Sequence, residues 1–485
     1  MAQASKHRDC PAVGRVIKSA ECGENRNSRY TCPAHCAFNP FAPDQYLQAL
    51  EITDRVDAEA ERWLANTMRA GNHGQNEFFR LEGLAQGYPR SMGMFRLMMA
   101  SGPSGSPPWA QRFIDAGAPG LRNDDLVLLK ARMQSQLGLL EVRRIFDDRR
   151  VEFVDLLRPG IGPFVVYDLS VAAEAVRYMT FPAFYYPLPH YWRVLMPLPP
   201  LPDLLESEGA DGFHELIRHL GGPAALDELS SWAIAHVDRL DAALRNTMTS
   251  WCLAQLKSLD IVIGKARYAL RQPNEVCRGR LEQESALVPD HLTDSETDDG
   301  CAGAWVWKAP ANEPVPVEGV CLGRVVLGPD EFRLNTFGSE SLPRLRAAFE
   351  GLMGDSVVLI DETSISPPRP ELPSFDASLV PPRLMEDSRR PSILQSRLPL
   401  LDADQTERER PTSLQDHADR RWLNTRVPAL GDKTPLEAAH DPALRPVLLR
   451  MLKFRIRQTD QDNLDSGTRR DLDEMLRELG AEELI

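Results

Sequence analysis

Cys10-Pro-Ala-Val-Gly-Arg-Val-Ile-Lys-Ser-Ala-Glu-Cys22-Gly-Glu-Asn-Arg-Asn-Ser-Arg-Tyr-Thr-Cys32-Pro-Ala-His-Cys36 sets the terms on which this chain is read. Eleven, nine and then three residues separate its successive cysteines. Proline or glycine follows Cys10, Cys22 and Cys32, and Cys36 closes a Cys-Pro-Ala-His-Cys turn. Four thiolates on two short turns can complete a tetrahedral zinc shell, and such a shell supplies folding energy to a segment with little core of its own. With all four ligands from protein, no position stays open for water, so the ion is structural. Thiolate softness and the lack of ferredoxin-like spacing favour Zn2+. His35 or His7 could each replace one thiolate. The competing readings are buried or redox-active cysteines and a catalytic thiol.

Four of the eight cysteines fall within 27 of the 485 positions, and the other four, Cys252, Cys277, Cys301 and Cys321, are scattered and read as ordinary core or surface residues. Without a visible signal peptide the expected location is the cytoplasm, where clustered cysteines bind metal in preference to forming disulfides. No uninterrupted apolar run approaches the roughly 20 residues of a membrane span. A net charge of −14 disfavours general affinity for nucleic acid, although Lys6, Arg8, Arg15, Lys18, Arg26 and Arg29 make the N-terminal stretch locally basic.

Working outward, the chain reads as a mixed α+β multidomain protein of roughly three or four domains. Residues 1–45 form the cysteine-rich zinc module. Residues 46–137 read as helical, with Asp44 as cap and Tyr46, Leu47, Leu50, Val56, Ala60, Trp63 and Leu64 on one face. Residues 138–200 hold short runs rich in β-branched and aromatic residues, separated by turns, which suggests a small antiparallel barrel-like domain. Residues 205–275 read as helical, with one long amphipathic helix over 223–265. Residues 276–316 read as an acidic, proline-containing linker and 317–360 as a small α+β unit. Residues 361–412, dense in proline, serine and charge, read as a disordered linker. Residues 413–485 form a helical C-terminal domain.

The second sharp signal is Trp422-Leu-Asn-Thr-Arg-Val-Pro-Ala-Leu-Gly-Asp-Lys-Thr-Pro-Leu-Glu-Ala-Ala-His-Asp-Pro442. Thr434-Pro435-Leu436-Glu437 is a capping box with proline at the first helical position. Trp422 and Leu430 act as apolar pins for a short helix set before a longer one.

This stretch resembles the C-terminal toxin-binding domain of the Xre/MbcA/ParS antitoxins over about 422–452. The resemblance implies a small helical unit that docks a partner protein, toxin-like as in that family, with Trp422, Leu430, Thr434 and Pro435 as the partner-binding candidates. The whole chain also resembles a group of uncharacterised bacterial proteins with a cysteine-rich metal-binding N-terminus, which lends no activity.

No GxGxxG, P-loop, HExxH or GxSxG motif appears, so no catalytic residue or organic cofactor is assigned. His73 lacks a second histidine at i+4, and His214 and His219 are five apart, the wrong step for one helical face. The favoured reading is a zinc-stabilised interaction or regulatory protein with a C-terminal docking domain. The runner-up is sequence-tolerant nucleic-acid binding through the basic module and the small barrel. A third is an enzyme whose site is invisible as a motif.

Overall fold

The computed structural model describes residues 7–70, 95, 98–100, 106–201, 209–258, 262–308, 321–366, 374–383 and 422–485, the last without 425 and 468. His73, most of the helical stretch expected up to Met99, the start of the loop at 101–108 and the linker from 384 to 412 lie outside the described residues. The chain is mixed α+β and divides into two compact units: Met1–Trp251 with Phe375–Glu386 and Ile456–Gln461, and Cys252–Ser374 with Asp387–Arg455 and Asp462–Ile485.

The first unit opens with a hairpin, β1 (His7–Cys10) and β2 (Arg15–Lys18), followed by α1 (Ser19–Asn25). Helices α2 (Tyr46–Ala70), α3 (Trp109–Asp115) and α4 (Asn123–Arg132) come next. On α2 the expected apolar face is buried at Tyr46, Val56, Ala60 and Leu64 and half-buried at Leu50 and Trp63, but Leu47 is 63 % exposed and Ile52 is buried in its stead.

Strands β3 (Gln136–Ile145), β4 (Arg150–Asp155), β5 (Phe164–Tyr167), β6 (Thr180–Pro187) and β7 (Trp192–Pro197) then close on themselves in the order β3-β4-β5-β7-β6. All pairs are antiparallel except the closing one, where β5 and β7 run parallel through Val166 and Trp192. A short helix, α5 (Leu169–Glu174), sits between β5 and β6 and is capped by Asp168. The alternation of strand side chains explains the architecture. Leu140, Val142, Phe153, Val166 and Tyr185 point into the lumen. Leu137, Leu139 and Phe184 point outward against α6 (Ala210–His219), α7 (Leu226–Ala235) and α8 (Val237–Ser258). Tyr167, Tyr186 and Tyr191 point outward against α2, α3 and α4. The five strands are therefore covered by helices on two sides.

The single long helix expected over 223–265 is two helices. His236 departs from helical geometry at φ −123°, and its Nδ1–H donates to the Trp232 carbonyl at 2.8 Å while the two rings stack. The apolar stripe continues across the break, with Leu229, Ala233, Val237, Leu240 and Leu244 all buried, which is why periodicity alone did not show it.

The second unit enlarges the small α+β layer expected at 317–360. β8 (Ile263–Leu270) comes from the region read as helical. α9 (Asn274–Gln283), β9 (Leu287–Asp290), α10 (Asp294–Asp298) and β10 (Gly303–Lys308) come from the region read as a linker. With β11 (Cys321–Leu327), β12 (Glu331–Phe337) and β13 (Val357–Ile365) they make one antiparallel sheet in the order β13-β8-β12-β11-β10-β9. Helix α11 (Ser341–Met353) buries Leu342, Leu345, Phe349 and Met353 in the core that Tyr268, Val325, Phe332 and Leu334 supply from the sheet. The acidic stretch 290–299 is thus ordered. Thr293 and Glu296 cap α10 reciprocally, and Arg324 donates to Asp290 and Glu296. Likewise residues 361–365, assigned to the linker, belong to β13, which ends the sheet.

The C-terminal helices are α12 (Pro435–Ala439), α13 (Arg445–Ser466) and α14 (Asp473–Glu478), as the helical reading of this region expected.

Candidate cysteine centre and docking segment

The four cysteines lie on different local structures. Cys10 ends β1, and Cys22 sits inside α1, not on a turn as its Cys-Gly spacing suggested. Cys32 and Cys36 flank a tight turn in which the Cys36 N–H donates to the Pro33 carbonyl at 3.1 Å. All four are buried and none is in a disulfide. Cys10 and Cys22 pack with Ile17, Ala12 and Tyr30 in a small cluster of their own.

The four sulfurs share one electrostatic neighbourhood. Burial pushes the Cys32 thiol pKa up, the Asn27 backbone pulls it back, and Cys36, Cys10 and Cys22 then add to the rise. Cationic groups stand close by: Arg8 Nη1 donates to Cys22 Sγ at 3.6 Å, and Arg26 lies within reach of Cys22 and Cys32. His7 and His35 are exposed. Among the described residues no group of three or more His, Cys, Asp or Glu side chains is drawn together tightly enough to hold an ion. The donor chemistry fits a soft cation, and the thiols as placed are near one another but not converged.

The module is fastened to the helices behind it. Arg26 clasps Asp124 at the start of α4, with Nε at 2.7 and 2.9 Å from the two carboxylate oxygens and Nη2 on Oδ2 as well. Asn123 Nδ2 donates to the Arg26 carbonyl at 2.8 Å, and Ser28 Oγ donates to Asn123 Oδ1 at 2.6 Å. Asn39, fully buried, accepts from Asn27 Nδ2 and from the Phe41 N–H. His190, on the loop before β7, donates from Nε2 to the Cys32 carbonyl at 2.8 Å. A cleft of about 580 Å³ opens beside the module, lined among others by Gly23, Arg26, Arg55, Arg122 and Asp124. From sequence Arg26 is one of several basic residues of the module, Asp124 a residue at a helix start and His190 a structural histidine beside aromatics; their pairings do not show, since no local motif marks a partner 98 or 158 residues away.

In the C-terminal segment the expected capping box is present. The Glu437 N–H donates to Thr434 Oγ1 at 3.1 Å, and the Thr434 N–H donates to Glu437 Oε2 at 2.8 Å. The chain reaches this cap through Gly431 (φ +64°) and Asp432 (φ +58°), a left-handed pair that asparagine-like side chains tolerate. Leu430 and Pro435 are buried, and the Thr434 hydroxyl is committed to its helix. Trp422 is half-buried beneath the Arg455 guanidinium, 4.6 Å from its ring. Of the four residues expected to meet a partner, three therefore serve the segment's own fold.

Set beside known proteins, the chain matches no family model, no curated protein and no solved structure. Among the described residues no helix is long and apolar enough to cross a membrane.

Proposed function

We propose that this chain is a metal-stabilised interaction protein, in which residues 10–36 take one structural Zn2+ and the C-terminal helices dock another protein. The observation that carries the reading is the gathering of four buried, unoxidised thiols around Cys32 with an Arg8 N–H aimed at Cys22. Without a cation, each thiolate raises the cost of ionising the next. A bound Zn2+ would offset that repulsion and lend the module folding energy. On this reading the thiols close in on the ion when it binds, and Arg8 and Arg26 temper the charge of the tetrathiolate shell. The ion does no chemistry. It fixes the module against α4, and the protein acts by presenting surfaces.

For docking, the support is the capped, compact architecture of residues 422–452 and the half-open face at Trp422. The test is metal analysis and affinity purification of the full chain from its native host under reducing conditions. About one zinc per chain is expected, with a protein partner that Trp422→Ala releases. Metal-free protein overturns the zinc half of the proposal, and a partner indifferent to Trp422→Ala overturns the docking half.

A second reading, binding of single-stranded nucleic acid, draws on one feature of the barrel. Phe146, 41 % exposed at the tip of the β3–β4 hairpin, lies between the guanidiniums of Arg144 and Arg150, 5.4 and 5.7 Å from its ring. Small five-stranded barrels can host single strands on such platforms. Here Glu141, Asp147, Asp148 and Glu152 balance Arg143, Arg144, Arg149 and Arg150 along the hairpin, so protein docking is the stronger reading. Affinity for an oligonucleotide that falls steeply with salt would reverse that order.

A further inference from the structure

One short helix divides the cysteine centre from the cleft beside it. Of the seven residues of α1, only Cys22 is buried, and it packs with Cys10 and Ile17. At about 3.6 residues per turn, Ala20 and Glu24 fall on the face opposite Cys22 and Gly23 on a flank. Those three line the cleft of about 580 Å³, together with Ile52 and Arg55 from α2 and Asp124 from α4. Among the described residues no cysteine lines it.

The two walls of the cleft are held differently. On the far wall Ile52 is 5 % exposed, and Arg55 Nε donates to both oxygens of the fully buried Asp125 at 3.0 and 3.1 Å. The near wall, α1, is bound to its own module, where Glu21 accepts from Arg15 Nη2 at 2.6 Å and from the Tyr30 hydroxyl at 2.8 Å. Toward the cleft it is unbraced: Ala20 is exposed, and a Cβ at Gly23 would meet no atom within 4 Å. Its last turn is pinned by Arg26, whose N–H donates to the Cys22 carbonyl at 3.0 Å and whose guanidinium holds Asp124. The helix is thus anchored at one end and open to the cleft along one face.

The thiols stand near one another without converging, so closing on an ion requires one of them to travel. Cys32 is restrained by His190 on its carbonyl, Cys36 by its turn onto Pro33, and Cys10 by the β1–β2 pairing. Cys22 sits on a helix that buries nothing else, so moving it disturbs the least packing. Because Cys22 points away from the cleft, drawing it toward the other sulfurs carries α1 off α2.

We propose that the cysteine centre controls the cleft: when the four thiols close on a metal ion, α1 swings about Arg26 and the cleft widens. This rests on the zinc reading above and adds to it that loading of the ion changes a surface the protein presents.

The test compares the full chain, under reducing conditions, with one equivalent of zinc and after chelation, with metal content measured in both. Spin labels on p-acetylphenylalanine at the exposed positions 24 and 48, one on each wall of the cleft, leave every thiol untouched. Their separation, read by double electron–electron resonance, should lengthen on zinc loading. In the unlabelled chain the methyl resonance of Ile52, in the cleft, should shift together with that of Ile17, beside Cys10 and Cys22. Cys22→Ser should abolish the zinc-dependent lengthening, and if that variant does not fold, the two readouts on the native thiols carry the comparison. One equivalent of zinc that shifts Ile17 but leaves Ile52 and the label separation unchanged would overturn the coupling and leave the zinc reading standing. A chain that takes up no zinc overturns both.

Discussion

Arg26 and Asp124 hold the cysteine module to α4 through a two-pronged ion pair whose side chains are 21 % and 9 % exposed. Removing one partner leaves the other charge buried and unpaired. Asp124→Ala should therefore destabilise the first unit by about 3 kcal/mol, toward the low end for buried pairs because Arg26 keeps some contact with water. Urea unfolding measures this loss. Limited proteolysis should at the same time show earlier cutting within residues 7–40, and unchanged cutting there would mean that the module is held by other contacts.

Replacing Cys32 and Cys36 together by serine removes two of the four proposed zinc ligands. The chain should then lose its zinc, and residues 10–36 should become protease-sensitive even in zinc-supplemented buffer. A double variant that keeps a full equivalent of metal would place the ion elsewhere.

Gly138 sits where β3 passes the lumen pair Tyr185 and Asp155. A Cβ at this position would lie 2.5 Å from Tyr185 Cε1 and 3.0 Å from Asp155 Oδ2. Both neighbours are fixed, since the Tyr185 hydroxyl donates to Asp155 at 2.8 Å and the carboxylate also accepts from the Leu139 and Leu157 N–H groups. Gly138→Ala should cost about 1–3 kcal/mol by overpacking, read as a lower denaturation midpoint.

Glu296 supplies a pH dependence. Its pKa is lowered to about 2, chiefly by the Arg324 guanidinium, with burial working the other way. The folded-state value lies below the unfolded one, so the carboxylate's contribution is fully present above about pH 4.5 and fades as pH falls toward 2. The stability gap between the native chain and Glu296→Gln should accordingly be constant near neutrality and shrink between pH 4.5 and 2.5. A gap that stays constant through that range would show that Arg324 does not hold Glu296 ionised.

Thr434→Ala should speed amide exchange throughout α12 and cost about 1 kcal/mol, whereas Thr434→Ser should change little. Equal effects of the two substitutions would mean that the methyl group matters more than the hydroxyl.

What could be read from sequence follows the range of the interactions involved. The strands between Leu137 and Pro197 announced themselves through β-branched and aromatic runs cut by turns, and the Thr434 cap through a four-residue motif. Strand β8 was missed because its inward residues Gly264, Ala266 and Tyr268 are mostly small, leaving little alternation to detect beside Lys265 and Arg267. In the acidic stretch, Thr293-Asp-Ser-Glu296 is itself a capping signature that the density of charge obscured, and the decisive partner, Arg324, lies 28 residues further on. The cysteines were legible as a cluster, but Arg26–Asp124 and His190–Cys32 bridge 98 and 158 residues, beyond what spacing can show.

Strand β13 closes the sheet with a row of surface-facing groups that includes Leu359, Ile360 and Ile365. Left flat, such a border would invite foreign chains to stack onto it. The slip in pairing between Leu359 and Asp361, with Asp361 and Glu362 immediately after it, breaks the regular spacing of free amides and carbonyls and seeds that border with negative charge. The molecule therefore carries its own guard against runaway polymerisation at a strand that leaves Val358, Leu359, Ile360 and Ile365 open to water.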